Sequence, residues 1–172
     1  MKPELEKISN KPTDSFMVKT VERERRDDFK SAFHYHPEFE LVNILKSTGT
    51  RFIGDNIEKF NIGEIVLIGK NLPHMWLNDK EYFEENSKLE AQALAIHFKE
   101  DFAGETFFKM PGMHAIKKMF ENAQYGIKFQ GDLSLAVKWI KKLETLSGFD
   151  KTISFLKILN LLANHQDYKL LS

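Results

Sequence analysis

Between Phe16 and Phe98 the hydrophobic residues fall in short runs, each closed by residues that favour turns. The runs are Phe16–Val21, Phe39–Leu45, Thr50–Ile53, Ile57–Phe60, Ile65–Ile68 and Ala91–Phe98. Ser47–Gly49, Gly54-Asp55-Asn56 and Asn61-Ile62-Gly63 supply turns between them. Alternate residues of a strand point to opposite faces, so such runs read as strands with one face inward. Strands this short, about ten residues apart, predict an antiparallel sandwich or barrel rather than parallel βαβ units. The charged string Glu22–Asp28 reads as a solvated strand edge or loop.

Beyond Phe98 the period changes. Glu100–Phe108 is expected to form a short helix ended by Met110-Pro111-Gly112, and Met113–Ala123 a second, through Ile116, Met119 and Phe120. Asp132–Leu146 and Asp150–Asn164 predict two further helices, separated by Ser147-Gly148. In the last of these, Ile153, Phe155, Leu156, Ile158, Leu159, Leu161 and Leu162 leave only a narrow polar stripe. A helix lying on its own domain needs one apolar face, so this one predicts a second partner surface. The expected organisation is an arm over 1–15, a barrel over 16–98 and a helical segment over 99–172.

Composition narrows the function. The 172 residues carry 25 basic and 25 acidic side chains, a formal net charge of zero, where gripping DNA phosphates calls for a basic excess. There is no cysteine, hence no disulfide, thiolate metal site or thiol nucleophile. No apolar stretch has the length of a signal peptide or bilayer span, so the expected setting is cytoplasmic. Serine-hydrolase motifs and a glycine-rich phosphate loop are missing too.

The candidate chemistry sits at His34, His36, Glu40 and His74. Positions two apart in a strand share a face, so His34 and His36 can point at one centre, with Glu40 of the same parity beyond Pro37. Three imidazoles and a carboxylate suit a divalent zinc, nickel, manganese or iron ion with coordination positions left open. The same four residues also suit a polar pocket lining that hydrogen-bonds water or a ligand. Trp76 should share the face of His74 and can stack on a ligand ring, or else seal the core. Asn78 follows as a ligand-binding candidate or a turn residue. Glu38 ranks below Glu40 on spacing. His97, at the end of a strand, reads as a surface histidine, and His114 and His165 as helix residues without chemistry.

The spacing His34-Tyr35-His36, then Glu40, resembles the first conserved motif of the cupin superfamily, and Gly63, Gly69-Lys70-Asn71, His74 and Asn78 resemble the second. The sequence departs in carrying Gly69 where proline is usual, Asn71 where glycine is usual, and the closing glycine of the first motif late, at Gly49. More closely, HYHPEFELVNIL with TRFIGDNIEKFNIGEIVLIGKNLPHMW, the later HFKEDFAGETFFKMPGM and the paired helices after Gly131 look like the N-terminal cupin domain of AraC-family transcription regulators. The resemblance implies a mainly β protein, a cupin-type double-stranded β-helix (jelly-roll) barrel followed by C-terminal α-helices. It implies that the barrel binds a small effector, a sugar being one fit, and that the trailing helices form a homodimer. DNA would be reached only through a helix-turn-helix domain that does not lie within these residues, which stop at Ser172. A stand-alone metal-dependent cupin enzyme, a dioxygenase or an isomerase, is the competing expectation.

Overall fold

The computed structural model describes residues 2–9, 15–23 and 33–172, with the backbone alone at Glu22 and Arg23. In chain order the strands are β1 (Glu4–Leu5), β2 (Phe16–Arg23), β3 (His34–Tyr35), β4 (Phe39–Lys46), β5 (Gly49–Ile53), β6 (Asn56–Phe60), β7 (Ile65–Ile68), β8 (His74–Asn78), β9 (Ala91–Phe98), β10 (Ile127–Phe129) and β11 (Tyr168–Leu170). The helices are α1 (His114–Asn122), α2 (Ser134–Lys142) and α3 (Gly148–Ala163). One sheet runs β1-β3-β8-β5-β6 and the other β11-β10-β7-β4-β9-β2. Every pairing is antiparallel except β1 beside β3. The two sheets face each other as a mainly β, cupin-type barrel, with the helices laid on the outer face of the larger sheet.

Alternation along β4 explains the layering. Phe39 and Leu41 point outward into the helical layer, while Glu40, Val42 and Ile44 point into the barrel, so both faces are buried. Such a strand reads as a continuous apolar run rather than a strict alternation. The outer layer is aromatic: Phe155 of α3 lies 4.4 Å from Phe16 and 5.0 Å from Phe98, and Phe39 lies 5.3 Å from Phe98. Burying each such ring contributes roughly 1.5–3 kcal/mol, which anchors α3 to the sheet. Inside the barrel the apolar groups are fewer. Ile53, Val66, Ile68 and Leu171 form one cluster, Val42, Ile44 and Phe60 another, and Trp76 packs against both.

Two backbone positions carry the turn before β8. Gly69 passes so close to Ala123 that an added Cβ would stand 2.4 Å from its carbonyl oxygen. Asn71, standing where the cupin motif usually has glycine, adopts φ 59°, a left-handed conformation that asparagine tolerates better than most residues.

Several expectations change. Strands β1, β10 and β11 were not expected, β1 lying in the segment read as an arm and the other two in the segment expected to be helical, while β3 and β8 were read only through the parity of their histidines. Glu100–Phe108 is not an α-helix but a series of turns with Gly104 at φ 109°, closed by a 3-10 turn at Phe107–Lys109. Strand β2 runs on to Arg23, and the remainder of the Glu22–Asp28 string lies outside the described residues. The apolar circumference of α3 is largely covered within the chain: Phe155, Ile158, Leu159 and Leu162 are buried against the sheet and the neighbouring helices. Leu159, fully buried, belongs to the core and not to a partner surface.

Candidate functional site

Register brings the candidate residues together. On the smaller sheet His34 of β3 is paired with His74 of β8; on the larger one Glu40 of β4 is paired with His97 of β9. The two pairs face each other across the barrel. His36 sits on the crossing between the sheets, where Pro37 cannot continue the ladder. His34, His36, Glu40 and His74 each offer one ligand atom, and all four atoms lie within 4.8 Å of one another.

One oxygen is the hub. Glu40 Oε2 lies 2.8 Å from His74 Nε2, 3.3 Å from His36 Nε2 and 3.7 Å from His97 Nε2. On their other side the rings are held from outside. His74 Nδ1 donates to the Leu72 carbonyl at 2.8 Å and His36 Nδ1 to the Glu38 carbonyl at 3.1 Å. His34 Nε2 lies 3.2 Å from a carboxylate oxygen of Glu6, on the segment that includes β1. Outer partners of this kind fix ring orientation and tautomer in metal sites.

This arrangement tests whether the residues suit a metal. A carbonyl only accepts, so Nδ1 of His36 and His74 carries the proton and each neutral ring aims an Nε2 lone pair at Glu40. Lone pairs then face a carboxylate, and a positive charge has to lie between them: a proton, or a metal ion. The proton alternative is visible in the titration of the groups. Burial pushes the His74 pKa down, but the hydrogen bond and charge of Glu40 outweigh it and leave it raised. Burial pushes the Glu40 carboxyl up, but bonds from His36 and His74 and nearby imidazole charge hold it well below the carboxylate range. Burial prevails at His97, whose pKa is lowered. Three imidazoles, one carboxylate and outer hydrogen bonds fit a divalent first-row ion.

A cavity of about 410 Å³ opens beside the cluster, with His34, Glu40 and His97 at one end. That volume is in the range of small-molecule pockets. Trp76 and Asn78 of β8 both line it; Trp76 is fixed edge-on by Phe60 at 5.3 Å, and Asn78 is a buried strand residue rather than part of a turn. Glu38 is buried with its carboxylate 3.8 Å from His36 Nδ1, outside the hub. His165 Nε2 donates to the Gln130 carbonyl at 2.6 Å, far along the chain from the cluster.

The sequence reading missed His97, which is buried at the cavity floor rather than exposed. A signal was present: along β9 the residues Leu94, Ile96 and Phe98 are large and Ala91, Ala93 and Ala95 small, which marks the face shared by His97 as the one lining a space. Glu6 was missed as well, and nothing in its polar surroundings distinguishes it.

No known protein family matches the sequence, and no curated protein matches it. Solved structures do. ToxT from Vibrio cholerae bound to (E)-4-(8-methylnaphthalen-1-yl)but-3-enoic acid superposes with a TM-score of 0.56 at 10% identity, over 89% of this chain and 57% of that one. Unsaturated-fatty-acid-bound ToxT gives 0.53 at 12% identity, over 93% and 57%, and a further ToxT structure 0.55 at 10%, over 86% and 54%. The chain therefore spans little more than half the length of these ToxT structures. At such identities the likeness is one of fold: a cupin-type barrel followed by helices.

Proposed function

We propose that this chain is the effector-sensing and dimerisation part of an AraC-type transcription regulator, holding one small molecule in its barrel beside a divalent metal ion. The carrying observation is the convergence of His34, His36, Glu40 and His74 within 4.8 Å at the end of a cavity sized for a single ligand. The sequence resemblance and the fold shared with ToxT support the sensor reading, and two of those ToxT structures hold an organic acid, one a naphthyl-butenoic acid and the other an unsaturated fatty acid. A bound ion would supply an electrophilic anchor for an oxygen of the effector. The chain's own residues do the rest: Trp76 and Asn78 orient the ligand, and the outer partners Glu6, Glu38 and Leu72 hold the imidazoles. The effector acts by population shift, and its leverage equals its differential affinity for two arrangements of barrel and helices, typically about 1–3 kcal/mol. A chain of zero net charge is a poor phosphate binder, so in this reading a separate domain contacts DNA.

The homodimer is assigned to the helices after residue 98. With Leu159 in the core, the exposed apolar residues on α2 and α3 are Leu135, 46% exposed, and Phe149, 77% exposed, each one helical turn from half-buried Trp139 and Ile153 respectively. Leu135→Glu combined with Phe149→Glu is expected to convert a dimer to a monomer in light scattering, and an unchanged mass rejects the assignment. No helix among the described residues is long and apolar enough to cross a membrane.

The same cluster also favours a second reading, a metal-dependent cupin enzyme. Saturable binding of candidate effectors without turnover supports the sensor; turnover that disappears in a His34→Ala, His36→Ala variant supports the enzyme.

A further inference from the structure

The floor of the cavity is laid out row by row across the larger sheet. In the first row His97 stands between Glu40 and Met17; in the second Ala95 stands between Val42 and Lys19; in the third Ala93 stands between Ile44 and Val21. Ala91 continues the line, so an apolar track of single methyl groups leads away from the polar row for about 13 Å at 3.3 Å per residue. Val42 and Ile44 flank it on one side, and Lys19 and Val21 on the other. Opposite stands Trp76, its plane set by Phe60. Lys19, Ser47, Asn78 and Gln92 also line the cavity, but the floor along Ala95, Ala93 and Ala91 offers a sugar hydroxyl no side-chain partner, and each buried hydroxyl without one is costly. A flat apolar ring needs no hydrogen-bond partner along that floor.

Charge decides the head group. Among the described residues that line the cavity, Glu4, Glu6 and Glu40 are acidic and Lys19 is the basic one. The polar end therefore repels an anion while it holds only protein groups. A divalent ion held by three neutral imidazoles and one carboxylate gives the cluster itself a net charge of +1, offsets the charge of Glu4, Glu6, Glu40 and Lys19 together, and would offer open coordination positions to a carboxylate oxygen.

We infer, resting on the effector-binding reading above, that the cavity selects a planar aromatic carboxylate and accepts it only when the His34, His36, Glu40 and His74 cluster holds a divalent cation. The ring lies along Ala95 and Ala93 beneath Trp76, and the carboxylate lies at the Glu40 and His97 end.

Calorimetric titration of zinc-loaded and zinc-free protein tests this with four probes: trans-cinnamate, 3-cyclohexylpropanoate, cinnamylamine and glucose. The expected result is that trans-cinnamate binds the zinc-loaded protein at least about tenfold tighter than the zinc-free protein, and about tenfold tighter than the saturated acid. Ala95→Leu, which adds bulk to that floor, is expected to take up zinc as before and to weaken cinnamate by about tenfold or more. Ala93→Leu is the second variant, and thermal unfolding shows whether each is folded. Preference for glucose or the amine, equal binding of the two acids, indifference to zinc, or undiminished cinnamate binding in both folded variants overturns the inference. Zinc uptake without preference for cinnamate defeats this inference alone, whereas no zinc uptake at all defeats the metal reading with it.

Discussion

Along one seam, where β6 meets β10 and β11, the barrel is shut by a string of alternating charges: Lys169, Glu58, Arg51, Glu64 and Lys128. Along the other, where β1 and β3 meet β2 and β9, alanines leave a cavity and the charged groups are those of the histidine and glutamate cluster. At the shut seam each buried charge meets its opposite: fully buried Arg51 lies 3.0 Å from Glu58 and 3.3 Å from Glu64, and Glu64 lies 2.7 Å from Lys128. At the open seam acceptors face an acceptor, with Nε2 atoms turned to one carboxylate oxygen. Polar residues inside one barrel thus serve two ends. At the shut seam the charges are matched by fixed side chains, whereas at the open seam the balance rests on a proton shared by Glu40 and His74 or on a cation in its place.

The contrast can be broken most forcefully at the shut seam. Arg51→Met removes a buried cation and leaves Glu64 with Lys128 alone, at an expected loss of about 3–5 kcal/mol in denaturant unfolding. A loss under about 1 kcal/mol, typical of surface pairs, would mean that the string does not hold the seam. At the open seam, His74→Ala is expected to lower zinc affinity more than about 100-fold, beyond the range of outer partners, in a competition titration.

Acidity sharpens the difference further. In the metal-free protein the raised His74 pKa contributes stability that is complete below its ordinary value of 6.5 and is lost as pH rises through the raised value. The lowered Glu40 pKa contributes stability complete above its ordinary 4.5 and lost as pH falls through the lowered value. The pair therefore stabilises the empty cluster most between those two ordinary values. A metal ion displaces the His74 proton, so zinc affinity should fall about tenfold per pH unit below the raised His74 pKa, measured by chelator competition. A pH-independent affinity would count against His74 as a ligand.

Smaller effects follow at the margins of each seam. Glu6→Gln leaves the fold intact and is expected to weaken zinc about tenfold, the low end for an outer carboxylate, because Glu6 is half exposed. Lys169→Ala is expected to cost less than about 1 kcal/mol. Lys169 holds Glu58, whose pKa is lowered to about 2 with that bond as the largest cause, yet both side chains meet solvent.

The open seam was the legible one. Its four principal residues lie in two short stretches, and strand parity places His34 with His36 and His74 with Trp76. The strands between Phe39 and Ile68 were equally plain, because turn residues bracket each run. The shut seam was not visible: Arg51 and Glu58 read as ordinary alternating polar positions, and their partners Lys128 and Lys169 arrive from strands of three residues after the helices. Strands that short hold no period, and only the sheet they join defines them. How much of α3 its own chain covers was hidden for a related reason. Its apolar circumference follows equally from a partner molecule and from burial among α1, α2 and the sheet, and the pattern on one helix does not contain the position of its neighbours. His97 fell between these cases, legible by parity but overlooked because it closes its strand.

The central claim is that His34, His36, Glu40 and His74 hold one metal ion. Metal uptake by the purified protein, followed by X-ray absorption of the zinc-loaded form, tests it most directly. One equivalent with nitrogen and oxygen neighbours at about 2.0–2.1 Å, abolished in the His34→Ala, His36→Ala variant, is the predicted result. Well under one equivalent, with none taken up on addition, would contradict it.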